Sequence, residues 1–276
     1  MTRDSAAHYQ KVTALWREFM GDHFHFGYFR TGEESLSQAA LDMVEELLRL
    51  CELDANHRVL DVGCGIGGAA FYIHERYGCA VDGISNSEVG VRIAEGSSRE
   101  RGCDAVRFKV ADALRNGFPD ETFDLVWIME ASHPIEDKAA LSRECFRVLK
   151  KGGRLAMCDL VQLRTLPFRE GLRNMVVNLR DFLFAPKVWG PAHISTLGKL
   201  CDILVDTGFT DLRVVNVTDK VTPTLKHWRE NALRFLERAG EKASRRYAAD
   251  FARACTSLEK AFRDGVMGYG MISALK

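Results

Sequence analysis

The stretch VLDVGCGIGG occupies residues 59–68. A short apolar run carrying one carboxylate, Asp61, gives way to glycines at 63, 65, 67 and 68, and then to AAFYIHERYG (69–78), which reads as a helix stopped by Gly78. Strand, glycine loop, helix is an order in which main chain can approach a bound group at a helix N-terminus, because glycine has no Cβ and accepts positive φ. The alternation continues outward. HRVLDVG (57–63), CAVDGIS (79–85), VRFKVAD (106–112), FDLVWIM (123–129) and RLAMCDLV (154–161) are short apolar runs that read as buried strands. Between them, 87–102 and KAALSRECFRVLKKGG (138–153) carry helical periodicity, the second predicted to end on its lysines and a glycine stop. A helix is also predicted over 33–50, with Leu36, Ala40, Met43, Val44, Leu47 and Leu48 on one face. Strands alternating with helices imply a parallel sheet covered on both sides, wound in both directions by right-handed crossovers.

After residue 161 the rhythm changes. Residues 162–208 read as mostly helical with breaks at Pro186 and Pro191, TDLRVVNVT (210–218) as a strand, 224–264 as helices with Trp228 and Phe235 on one stripe, and YGMISALK as a last strand. The fold expected is α/β: a doubly wound, Rossmann-like, seven-stranded sheet with helical cap insertions.

Composition excludes several classes. Lys+Arg and Asp+Glu are both 38 in 276 residues, so the formal net charge is zero and a nucleic-acid partner is not expected. The opening MTRDSAAHYQ has no apolar leader core, and no run approaches the ~20 apolar residues of a membrane span, so no membrane partner and a cytoplasmic location are expected. The eight cysteines have no C-x-x-C spacing, which predicts reduced thiols and no metal site.

Gly63, Gly65 and Gly68 satisfy the dinucleotide pattern G-x-G-x-x-G, and Asp82 follows 19 residues after the first, so a nicotinamide-dependent oxidoreductase is one reading. Asp61 argues against it, since a diphosphate would meet an uncompensated negative charge. A ligand with an ammonium group would instead gain a charge-assisted hydrogen bond; S-adenosylmethionine has such a group and no phosphate.

At this point the chain resembles the class I S-adenosylmethionine-dependent methyltransferases, whose first motif stands intact as VLDVGCGIG (59–67), with ADA (111–113), FDLVW and VLKKGGRLAM following in register. HFHFGYF (23–29) and the GIS-x-S stretch (83–87) are similar to the small-molecule branch that contains sugar O-, tocopherol, sarcosine/dimethylglycine and geranyl-diphosphate methyltransferases. Gly90 departs from that branch, which often carries glutamine there. The resemblance implies S-adenosylmethionine as cofactor, with S-adenosylhomocysteine as product, and a small-molecule methyl acceptor modified at O, N or C. It implies cofactor contacts from Tyr28, Asp61, Gly63, Gly65, Gly67, Ser85, Asp112, Ala113, Met129 and Glu130. It also implies an organisation of residues 1–50 as a helical flap over the cofactor, 51–161 as the cofactor-binding core, and 162–276 as a substrate cap with the last two strands. A cofactor-binding cyclase that transfers no methyl is an alternative from the same fold.

EASHP (130–134) follows the fourth strand, where ligands of open parallel sheets bind. The sugar-methylating relatives carry two histidines here; this chain keeps His133 and has Pro134 for the second. His133 is the candidate catalytic base or substrate-orienting residue, against the plainer reading of a loop histidine packed on the flap. Asp61 and Asp112 could each be only a helix cap or a turn residue. His193, His227 and Glu170 are expected to serve packing or surface roles in the cap.

Overall fold

The computed structural model describes residues 3–21, 23–164 and 186–276. Seven strands form one sheet: β1 (Arg58–Val62), β2 (Ala80–Ser85), β3 (Val106–Val110), β4 (Phe123–Met129), β5 (Leu149–Gln162), β6 (Thr210–Asn216) and β7 (Met267–Leu275), in the order β3-β2-β1-β4-β5-β7-β6. β1 to β5 pair in parallel, and β7 runs antiparallel between β5 and β6. The expected doubly wound seven-stranded sheet is therefore present.

The helices are α1 (Arg3–Met20), α2 (Leu36–Leu48), α3 (Gly68–Tyr77), α4 (Glu88–Arg101), α5 (Lys138–Val148), α6 (Leu197–Thr207), α7 (Thr218–Val221), α8 (Pro223–Arg238) and α9 (Lys242–Arg263). Side-chain oxygens start four of them: Ser35, Ser87, Asp137 and Thr196 accept from the backbone N–H three residues on. The core has one part on each side of the sheet. One packs Trp127, Tyr269 and Ala156 with α2, α3, α8 and α9; the other packs Leu60, Val126 and Ile272 with α5 and α6. Burying a side chain such as Leu60, Val126 or Ile272 is worth about 1.5–3 kcal/mol.

Three expectations about element boundaries are corrected. α5 stops at Val148, not at 153, and Lys150 lies in β5. Its Nζ bonds the Asp124 carboxylate at 2.8 and 2.9 Å while Leu149 enters register with Phe123, so ladder and ion pair override helical periodicity. Strand six ends at Asn216, because Thr218 opens α7 by donating its N–H and hydroxyl to Asn216 Oδ1. The helical reading of 162–208 holds over α6 and a turn at 186–189; Gln162 belongs to β5, 190–195 is irregular, and 165–185, Glu170 among them, lies outside the described residues. α1 was not read from periodicity, though it falls within the 1–50 segment expected to be helical.

β1 sits where the strand order reverses, with β2 on one side and β4 on the other. That puts the carboxyl ends of β1 and β4 around the crevice in which an open α/β sheet binds ligand.

Candidate active site

A cleft opens at that crevice, lined by Asp61, Gly63, Cys64, Gly65, Ile66, Gly68 and Ala69 from the glycine loop, Met129 from β4, and His23, Phe24 and His25 from the segment before α2. The loop has positive φ at Gly63 (84°), Gly65 (56°) and Gly67 (89°). A Cβ at Gly63 would lie 2.1 Å from that of Ala131, whereas one at Gly65 would meet nothing within 4 Å, so Gly65 faces open space. The loop is hung from β2: Gly63 and Cys64 donate to the Ile84 carbonyl at 2.8 and 3.0 Å. Gly67 starts α3 without a side-chain cap, which leaves the first N–H groups of the helix beside the cleft. Gly90 has a structural reason. A Cβ there would sit 2.8 Å from the Gly65 carbonyl, so α4 packs directly on the back of the loop.

Asp61 is 2% exposed and its Oδ2 has no partner. Burial pushes its carboxyl up to about 7. An unpaired buried carboxylate on a glycine-walled cleft fits a cationic, amine-bearing ligand and disfavours a diphosphate. Asp82 does not serve the dinucleotide reading either: it stands mid-strand in β2 and binds Arg58 Nε at 2.7 Å.

The other expected cofactor residues stand outside this lining. Ser85 is buried at the end of β2, its Oγ accepting from Ser87 N–H at 3.1 Å. Asp112 is exposed after β3, its Oδ1 accepting from Leu114 N–H at 3.0 Å, and Ala113 is buried beside it. Tyr28 is half-buried; its N–H donates to the Ala39 carbonyl at 2.7 Å and Arg30 lies over its ring. The neighbouring Gly27 is a packing glycine, since a Cβ would lie 2.6 Å from that of Ala39.

Glu130 is spent on the flap. Its Oε1 accepts from Phe26 N–H and from the Tyr269 hydroxyl, each at 2.6 Å, and its own φ is 51°. Phe26 in turn packs on Trp228 and Tyr269, and Phe29 stacks on His227. Burial raises the Glu130 carboxyl to about 8. The folded protein thus holds a proton there that the unfolded chain releases, and this contribution to stability fades as pH rises through about 8. Glu130→Gln keeps an acceptor oxygen and removes the charge. Its melting temperature is expected to fall less than that of the parent between pH 6 and 9, by calorimetry; parallel curves would place the titration elsewhere.

At the mouth of β4, four residues past Met129, His133 is part of a buried network that the sequence reading missed. Asp159 of β5 is 2% exposed and accepts five hydrogen bonds. Ser132 N–H (2.9 Å), Ser132 hydroxyl (2.6 Å) and His133 N–H (2.8 Å) reach Oδ2, while His133 Nδ1 (2.9 Å) and Leu160 N–H (2.8 Å) reach Oδ1. Burial raises its carboxyl, but the His133 charge and these donors outweigh that and hold it below the usual range. Since a carboxylate only accepts, His133 carries a hydrogen on Nδ1, so in the neutral ring Nε2 is the nitrogen with the lone pair. Lys138, also buried, donates from Nζ to the carbonyls of Ser132 (2.8 Å), His193 (2.9 Å) and Ile135, stitching the loop in place. His193 closes it by donating its N–H to the His133 carbonyl at 2.7 Å. A lone carboxylate inside the apolar RLAMCDLV was the available signal, because such a group must be paired.

Comparison with known proteins agrees. Residues 53–240 match a family described as a methyltransferase domain. Methyltransferase GfsG of Streptomyces halstedii is 34% identical over 226 residues, 81% of this chain and 78% of that protein. A probable chloroplastic tocopherol O-methyltransferase of Oryza sativa subsp. japonica is 32% identical over 78% of this chain, which spans 62% of the rice protein's length. The solved structure of the [4+2]-cyclase SpnF superposes with a TM-score of 0.82 at 27% identity, covering 99% of this chain and 94% of that one. Glycine cradle, orphaned carboxylate and family match together make this chain a member of the methyltransferase domain family, with S-adenosylmethionine as its cofactor.

Proposed function

We propose that the chain methylates a hydroxyl oxygen of a small molecule, with His133 as the base and Asp159 as the residue that orients it. The observation that carries this reading is the Asp159 network, which ties up His133 Nδ1 and makes Nε2 the one ring nitrogen that can take a proton at the carboxyl end of β4. An amine acceptor that is already neutral needs no such base. The cofactor would supply an electrophilic methyl on a sulfonium, with Asp61 and the glycine loop holding its amino-acid end. The acceptor oxygen would take that methyl as the carbon–sulfur bond breaks and S-adenosylhomocysteine leaves, and His133 Nε2 would take the hydroxyl proton. In this reading residues 1–50 are the flap, 51–161 the cofactor core and 162–276 the cap. Ser85, Asp112, Ala113 and Tyr28 extend the cofactor site beyond the cleft. No helix among the described residues is long and apolar enough to cross a membrane, which suits a cytoplasmic enzyme acting on a diffusible acceptor.

The test is product analysis. Methyl-labelled cofactor incubated with metabolite extracts should give a labelled methyl ether; a labelled N- or C-methyl product overturns the oxygen assignment. The likeness to SpnF keeps a cyclase reading in view; a product that forms without release of S-adenosylhomocysteine would favour it.

A pH dependence follows from Asp61. Without ligand its carboxyl is protonated below about 7, and an ammonium is held best by the ionised form. Affinity for S-adenosylhomocysteine is therefore expected to fall about tenfold per pH unit below about 7. Asp61→Asn should flatten that slope in calorimetric titrations, and a wild-type affinity independent of pH would remove Asp61 from the ammonium site.

A further inference from the structure

Asp61 is not alone in the cleft. Among the described residues lining it, His25 also presents a buried side-chain atom without a partner, Nε2. His25 is 7% exposed, and its Nδ1 lies 2.9 Å from the Phe26 carbonyl. A carbonyl only accepts, so Nδ1 carries the hydrogen and Nε2 offers a lone pair. Burial and the neighbouring His23, whose ring centroid is 5.2 Å away, keep the imidazole uncharged down to about 3. The cleft thus carries two buried acceptors with unmet demand, a carboxylate on β1 and an imidazole nitrogen on the flap. Neither can satisfy the other while Asp61 is ionised, since both then only accept. Their complement is a single group with several N–H donors.

We propose that His25 is a second, neutral acceptor for the cofactor's α-ammonium, which then bridges the flap to the end of β1. The inference rests on the cofactor reading above and adds a residue from a different element. It gives the flap a chemical reason to close. The H-x-G-Y-F segment is already held from behind: Gly27 N–H donates to Thr224 Oγ1 at 3.0 Å and Phe26 N–H to Glu130, while Gly27 packs on Ala39. The ammonium would hold it from in front, so that a ligand lacking the amino group leaves the flap unlatched on that side. The arrangement selects an intact amino-acid end over adenosine-type fragments that share the rest of the cofactor.

The test separates this role from packing. An asparagine at 25 can still donate to the Phe26 carbonyl from the position of Nδ1 but has nothing at the position of Nε2, whereas glutamine can place an oxygen there. His25→Asn is expected to weaken S-adenosylhomocysteine binding by about tenfold or more, as loss of a hydrogen bond to a charged group does. The same variant should change binding of methylthioadenosine, which lacks the amino acid, by less than about twofold, and His25→Gln should recover part of the loss. Calorimetric titration of the unmodified chain and both variants with both ligands provides the comparison. Equal weakening for the two ligands, or none for either, overturns the assignment. If the unmodified chain binds neither ligand, it is the cofactor reading that fails. Melting temperatures of the variants confirm that folded protein is being compared.

Discussion

His133→Ala is expected to slow methyl transfer to a hydroxyl acceptor by about 10²–10⁴-fold, the contribution of a well-placed general base. Affinity for S-adenosylhomocysteine should be unchanged. The two readouts separate because His133 lies outside the cofactor cleft: the lining ends on β4 at Met129, and His133 stands four residues further, on a loop with its own supports. Those supports survive the substitution in part. Asp159 keeps the Ser132 N–H, the Ser132 hydroxyl, the backbone N–H of residue 133 and Leu160 N–H, losing only the bond from Nδ1. A loss of rate without a loss of cofactor binding, in a protein that still folds, therefore reports on proton transfer. Unchanged turnover would remove His133 from the chemistry and return it to a packing role, and a small loss would point to an amine acceptor.

The legible and illegible parts of this molecule divide on a physical line. Order along the chain is local information: short apolar runs, helical periodicity, glycine stops and the loop at 59–68 were enough to anticipate the sheet, its crossovers and the place of the site. Asp61 was readable for the same reason, being a carboxylate two residues before the first glycine of the loop. Non-local pairing was not readable. Lys150 and Lys151 continue a helical pattern, and only the Asp124 carboxylate, 26 residues away, explains why the chain is already a strand there. The resemblance implies a cofactor contact from Glu130; the partners of its side chain, Phe26 and Tyr269, 104 and 139 residues away in sequence, were not readable. His133 was found by position, but its tautomer depends on Asp159, which the sequence offers only as one polar letter in an apolar strand. The aromatic flap was legible as a segment but not in its contacts: Gly27 is dictated by contact with Ala39, and His25 lines the cleft.

Asp159 joins stability to catalysis, so its substitutions should have the largest combined effect. Asp159→Ala strips the acceptor from five buried or half-buried donors at once. Breaking a buried charged network by removing one partner costs about 3–5 kcal/mol, and a loss of that size is expected in denaturant unfolding. The pH dependence has a definite sign. The folded carboxyl titrates below its unfolded value, so its stabilisation is present above the ordinary carboxylate range and is lost as pH falls through the depressed folded value. The alanine variant should therefore converge on the parent in strong acid. Asp159→Asn tests the chemistry with less damage to packing. Its amide keeps one acceptor but turns a donor towards either the Ser132–His133 main chain or Nδ1. In the second arrangement the imidazole must move its hydrogen to Nε2, which can then no longer accept the acceptor's proton. Rate should fall by about 10²–10⁴-fold, the range expected for loss of a general base. The diagnostic is non-additivity: combined with His133→Ala, Asp159→Asn should slow transfer little further, because a residue that orients a base has no role once the base is gone. Full additivity of the two losses would show Asp159 acting on substrate or cofactor by itself, and the dyad would have to be abandoned.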